Sequence, residues 1–150
     1  MPNLEEEINQ NKFKNEYHKL AVNILYTHGW LITKFSKLLK NEKLSLSQYN
    51  VLRILRGHHP EALSVNVIKD RMLDKTPDVS RLIDRIIEKK LIERSACNED
   101  RRKVNIVITT KGLDLLYKLD FIDDEFQIIF QNLKKNEVVE MNNYLDKLRG

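Results

Sequence analysis

The sequence predicts a mainly α fold with a small β-hairpin wing, a winged helix-turn-helix flanked by N- and C-terminal dimerisation helices. Three observations predict it. Apolar residues recur at helical spacing through most of the chain. Two short helical stretches joined by a tight turn sit in the middle. Directly after them the apolar period shortens to that of two strands around a polar, basic loop. The length suits a single domain over 1–150, with dimerisation helices at about 5–40 and 113–149 and the winged region at about 45–112.

Phe13, Tyr17, Leu20, Ile24, Leu31, Phe35 and Leu38 lie three and four residues apart or in multiples of that spacing, predicting a long first helix from about Glu5 to Lys40 that Gly29 bends or interrupts. Such a length predicts packing against a second chain. Ser45 and Gln48 have capping-box spacing and start a second helix whose apolar face is Tyr49, Leu52 and Leu55, ending at Gly57. Ala62-Leu63-Ser64 reads as a very short strand. Ser64 then caps a third helix with Val65, Ile68 and Met72 inward. In the fourth, Thr76 is the expected cap, Pro77 the first helical residue and Asp78 the complement to the helix dipole. Val79, Leu82, Ile83 and Ile86 form its buried stripe.

Leu91–Ser95 and Val104–Thr109 read as strands, with 98–103 as the loop between them. Thr110 is the expected cap of a helix running from about Lys111 to Gln131. A last helix covers about Asn136 to Arg149 with Val138, Met141, Leu145 and Leu148 on one side. Both are apolar enough to need a partner surface.

A helix-turn-helix followed by a hairpin offers its second short helix to the major groove of double-stranded DNA, which admits one α-helix. With the stripe turned inward, Asp78, Ser80, Arg81, Asp84 and Arg85 face outward. Arginine's forked donors match the edge of guanine, and serine donates to bases or phosphates. Thr76, Pro77, Asp78, Ser80, Arg81 and Arg85 are the candidate DNA-facing residues of this helix. The hairpin tip adds Asp100, Arg101, Arg102 and Lys103. An extended arginine there can enter a narrow minor groove, with Asp100 aiming it through a salt bridge. The charge distribution agrees. Residues 64–112 carry 12 basic and 8 acidic side chains, whereas 113–150 carry 5 and 8.

These residues resemble the MarR-type regulators. The similarity runs from Leu44 to about Leu116: Leu44–Leu52 at the second helix, Val79–Ile86, Leu91-Ile92-Glu93-Arg94, the wing Asp100-Arg101-Arg102, and Ile108–Gly112. It implies a bacterial homodimer built from the first helix and the last two. It also implies a transcriptional regulator that represses or activates at palindromic promoter sites, with a repressor the expected form, often relieved by a small phenolic or other ligand, or by oxidation. Arg102 is the minor-groove residue by this resemblance. The chain departs from the family at Lys90, which stands where glycine usually closes the groove helix. A left-handed residue there costs a side chain roughly 1 kcal/mol or more.

Other classes are weaker. Tyr17, Tyr26, Trp30 and Phe35 give the first helix aromatic character and are the candidate residues for a small-molecule effector. His18, His28, His58 and His59 include no pair at the i, i+4 spacing of a helical metal site, so no metal or other cofactor is expected. Cys97, the single cysteine, suits a reducing cytoplasm and reads as an inert thiol rather than a redox sensor. No apolar run approaches the ~20 residues of a membrane span. The acidic start Glu5-Glu6-Glu7 is unlike a signal peptide, so a cytoplasmic location is expected. No nucleophile–base pair or phosphate loop marks an enzyme. The rival reading is a winged-helix protein–protein assembly module without DNA binding.

Overall fold

The computed structural model describes residues 2–96 and 104–150. Its helices are α1 (Leu4–Ile8), α2 (Glu16–Leu39), α3 (Leu46–Arg56), α4 (Val65–Arg71), α5 (Val79–Glu88), α6 (Thr110–Lys118), α7 (Phe121–Ile129) and α8 (Lys135–Arg149). Three short strands, β1 (Leu63–Ser64), β2 (Ile92–Ala96) and β3 (Val104–Ile108), form one antiparallel sheet in the order β1-β3-β2. In it Leu63 lies opposite Ile106, and Ile92 opposite Ile108.

The predicted first helix is two helices, and Gly29 is not where it breaks. α1 ends at Asn9, whose left-handed backbone (φ 51°) reverses the chain, and α2 starts only at Asn15, whose side chain accepts from the His18 N–H at 2.9 Å. Asparagine tolerates both roles, so it overrides the apolar spacing around it. α2 then passes through Gly29 without interruption.

The predicted helix 111–131 is also two. Its cap is Thr109 rather than Thr110: the Thr109 hydroxyl accepts from the Gly112 N–H at 3.1 Å. At the α6–α7 corner the bonding tightens to a three-residue period, Leu119 N–H to Leu116 C=O and Ile122 N–H to Leu119 C=O, both 3.0 Å. That period stacks side chains i and i+3 in line. Leu116, Leu119 and Ile122 are thereby all fully buried.

The core collects around the winged region. Val51, Leu52 and Leu55 of α3 meet Ile68 of α4, Ile83 and Ile86 of α5, and Ile92 and Ile106 of the sheet. Phe35 and Leu39 bring in the C-terminal end of α2. The Ser45–Gln48 capping box forms in both directions, at 3.1 and 3.2 Å. Further out the chain covers less of itself. Tyr17, Leu25 and Trp30 on α2 and Met141, Tyr144 and Leu148 on α8 are exposed, and among the described residues α8 has no buried side chain.

Candidate nucleic-acid interface

α5 divides cleanly into two faces. Val79, Leu82, Ile83 and Ile86 are buried, while Asp78, Ser80, Arg81, Asp84 and Arg85 are exposed, as the sequence predicts. The start of the helix needs correction. Asp78, not Thr76, is the cap: its carboxylate accepts from the Arg81 N–H at 3.3 Å. Thr76 is engaged elsewhere, its hydroxyl donating to Asp74 Oδ1 at 2.6 Å, and Pro77 precedes the cap instead of opening the helix. The Thr76 bond also holds the Asp74 carboxyl below its ordinary pKa. Thr76 and Asp78 therefore sit on the turn leading into α5, beside its exposed face, and Pro77 is half-buried between them.

Arg81 is an available cation of this face. Its side chain is 82% exposed, held only by a long 3.6 Å contact from Nε to the Asp78 carboxylate. Asp84 is differently placed: Arg94 of β2 reaches it at 2.6 Å, neutralising an acid on the exposed face and tying helix to strand. Sequence reasoning missed Arg94 because a partner ten residues away across a turn follows no helical spacing. Lys89 was missed as well. Its ammonium donates to Lys43 C=O (2.6 Å) and to the Gln48 side chain (3.0 Å), fastening the end of α5 to the start of α3.

The corner after α5 is formed despite Lys90. Lys90 adopts φ 60°, its N–H donates to Ile87 C=O at 2.7 Å, and the Leu91 N–H donates to Ile86 C=O at 3.3 Å. These two bonds make a Schellman ending, with Ile86 and Leu91 both buried as its apolar contact. The departure from glycine leaves the geometry intact.

The hairpin tip predictions, Asp100, Arg101, Arg102 and Lys103, lie outside the described residues, as does Cys97. β2 and β3 run antiparallel up to Ala96 and Val104, which pair with each other on either side of that segment.

Residues 43–103 match the model of the MarR family. Over this winged region the chain is similar to the MarR family. Members of the MarR family are transcriptional regulators rather than enzymes. The HTH-type transcriptional repressor IacR of Pseudomonas putida is 26% identical over 120 residues, covering 79% of this chain and 71% of IacR. A MarR transcription factor from Planctomyces limnophilus is 29% identical, with a TM-score of 0.65 and coverage of 92% of this chain and 98% of that one. MepR of S. aureus, solved as a complex with DNA, is 28% identical with a TM-score of 0.76, covering 91% of this chain and 97% of its own.

In this chain the four aromatic candidates do not form one site. Tyr26 and Trp30 share one open face of α2 with Leu25, Thr33, Lys34 and Lys37. The Lys34 ammonium sits 6.0 Å from the Trp30 ring centre. Tyr17 is 84% exposed, nine residues and about 13 Å up the helix from Tyr26. Phe35 is in the core, its ring 5.5 Å from Tyr49 and 5.2 Å from Phe126. Among the described residues no three His, Cys, Asp or Glu side chains are grouped to hold a metal, and no helix is long and apolar enough to cross a membrane.

Proposed function

We propose that this chain is a sequence-specific, double-stranded DNA-binding transcriptional regulator, a ligand-responsive repressor that acts as a homodimer on palindromic promoter sites. The observation that carries the reading is the exposed polar face of α5, with Ser80 and Arg81 in its first turn and the opposite face locked into the core. An α-helix so presented fits a major groove. The relative MepR, solved with DNA, supports it. Ser80, Arg81 and Arg85 contact bases or phosphates, Thr76, Pro77 and Asp78 approach the backbone at the helix start, and Arg102 with Asp100 reads the minor groove. Arg101 and Lys103 meet phosphate.

Dimerisation rests on the exposed apolar side chains of α2 and α8, among them Tyr17, Leu20, Met141, Tyr144 and Leu148, which one chain leaves uncovered. The effector binds the α2 face at Tyr26 and Trp30, an aromatic surface with Lys34 and Lys37 at its edge. Trp30 is the chain's single tryptophan, so its fluorescence reports directly on a bound phenol or aromatic carboxylate.

Selection of bound duplexes from random DNA, followed by light scattering of protein and complex, tests the reading. A palindromic consensus bound by a particle of two 17.8 kDa chains is expected. A monomer that enriches no duplex makes the chain an assembly module instead.

A further inference from the structure

Two arginines one turn apart on α3 face two aspartates one turn apart at the start of α7. Arg53 Nη1 lies 3.2 and 3.3 Å from the two carboxylate oxygens of Asp123, and Arg56 Nη1 lies 2.7 Å from Asp120 Oδ1. The pairing is antiparallel, 53 with 123 and 56 with 120. A spacing of three residues on each helix brings both pairs to one line of contact. Each charge also sits at the helix end that favours it, arginines in the last turn of α3 and aspartates at the N-terminal end of α7. The Arg53 side chain is further held by the Tyr49 hydroxyl at 3.0 Å. Beneath the ladder, Phe35 of α2, Tyr49 of α3 and Phe126 of α7 meet ring to ring.

The two layers do different things. Apolar contact is non-directional, so the aromatic trio alone leaves α3 free to rock against α2 and α7. Hydrogen-bonded ion pairs prefer one direction and one register. α5 packs on α3, whereas α7 leads through 130–134 into α8, the helix with the uncovered apolar side chains. The ladder therefore lies on the route from dimer scaffold to groove helix.

We infer that Arg53, Arg56, Asp120 and Asp123 are positioning residues that fix the separation of the two groove helices in the dimer, and so determine which half-site spacing the protein accepts. This rests on the proposed reading of a dimer on two half-sites. Arg53 and Arg56 do not act as phosphate ligands here, since both are partly buried against α7.

The test uses full-length protein and inverted repeats of the half-site selected by the wild-type protein, with the spacer varied by one and two base pairs. One base pair moves a half-site about 3.4 Å along the duplex and rotates it. The wild type is expected to discriminate against altered spacers by about tenfold or more. Asp120→Asn with Asp123→Asn removes both ion pairs and adds two units of positive net charge. A merely electrostatic effect therefore strengthens binding to every duplex. Loss of positioning instead weakens binding at the preferred spacing and cuts the discrimination to about threefold or less. Exchanging one pair, Arg56→Asp with Asp120→Arg, is expected to restore the sharp profile. Thermal unfolding should move little, because ion pairs still open to water on the aspartate side contribute little to stability. Should the double variant not fold, Asp123→Asn alone, at the more exposed pair, carries the same comparison. An unchanged spacing profile in a folded variant overturns the inference. Wild-type protein that binds no duplex overturns the functional reading itself and, with it, this inference.

Discussion

A methyl group added to Gly112 would stand 2.2 Å from the carbonyl oxygen of Leu91 and 2.7 Å from Ile108 Cγ1. The first turn of α6 is thus pressed onto the start of the wing, and the Thr109 N–H donates to that same Leu91 carbonyl at 3.1 Å. Gly112 is needed here for close approach of two backbones, not for an unusual φ. A backbone oxygen cannot swing aside as a long side chain can, so Gly112→Ala is expected to cost about 2 kcal/mol or more. Urea unfolding checks this. A midpoint equal to the wild type would mean that α6 is not held against the wing.

Lys90 gives the opposite sign. Its left-handed backbone is strained for any residue with a Cβ, and glycine relieves that strain while gaining entropy in the unfolded chain. Lys90→Gly is expected to stabilise by a net of about 0.5–1 kcal/mol. A thermal melt reads the outcome, and a fall in stability would mean that the lysine side chain contributes something its geometry does not show.

Gly29 lies mid-helix on α2, and a Cβ there meets nothing within 4 Å. Gly29→Ala is expected to stabilise the helix by about 0.5–1 kcal/mol. The same methyl stands on the α2 face that carries Tyr26 and Trp30. Effector binding followed by Trp30 fluorescence should therefore weaken even as the protein becomes harder to unfold. Stabilisation with unaltered ligand binding would move the effector site away from this face.

Asp74 sets a pH dependence. Its carboxyl is held below the ordinary value by the Thr76 hydroxyl, with the Thr76 N–H second. A group with a lowered folded pKa contributes stability that is complete above its unfolded pKa and is lost as pH falls through the folded one. The difference in melting temperature between wild type and Asp74→Ala should be flat from about pH 6 to 8 and should close only below the ordinary carboxylate value of about 3.9. A slope near neutrality would place another titrating group at the entrance to α5.

Much of this was legible because the deciding forces are local. The Ser45–Gln48 box, the stripe Val79, Leu82, Ile83 and Ile86, and the change of period at Leu91 each depend on residues within a few positions of one another. What was misplaced was decided by competition or distance. Thr76 and Asp78 are both good caps, and Asp74 settles the contest by binding Thr76. Asn9 and Asn15 break the first helix from positions that apolar spacing ignores. The bend at Leu119 has no glycine or proline to announce it; the core's demand for Leu116, Leu119 and Ile122 imposes it. Arg94 with Asp84, and Arg53 and Arg56 with their aspartates, join segments that only the folded chain brings together, although the matched three-residue spacings of the latter were visible.

The central claim is that α5 reads duplex DNA through Arg81. Fluorescence anisotropy on the selected palindrome, across a salt series and for wild type and Arg81→Ala, tests it most directly. The wild type should lose affinity linearly in log–log form as salt rises. Arg81→Ala should cost about 1–3 kcal/mol on the preferred site and relax base preference at one position in each half-site. An Arg81→Ala variant with wild-type affinity and preference, or wild-type protein with no salt-dependent affinity for any duplex, would contradict it.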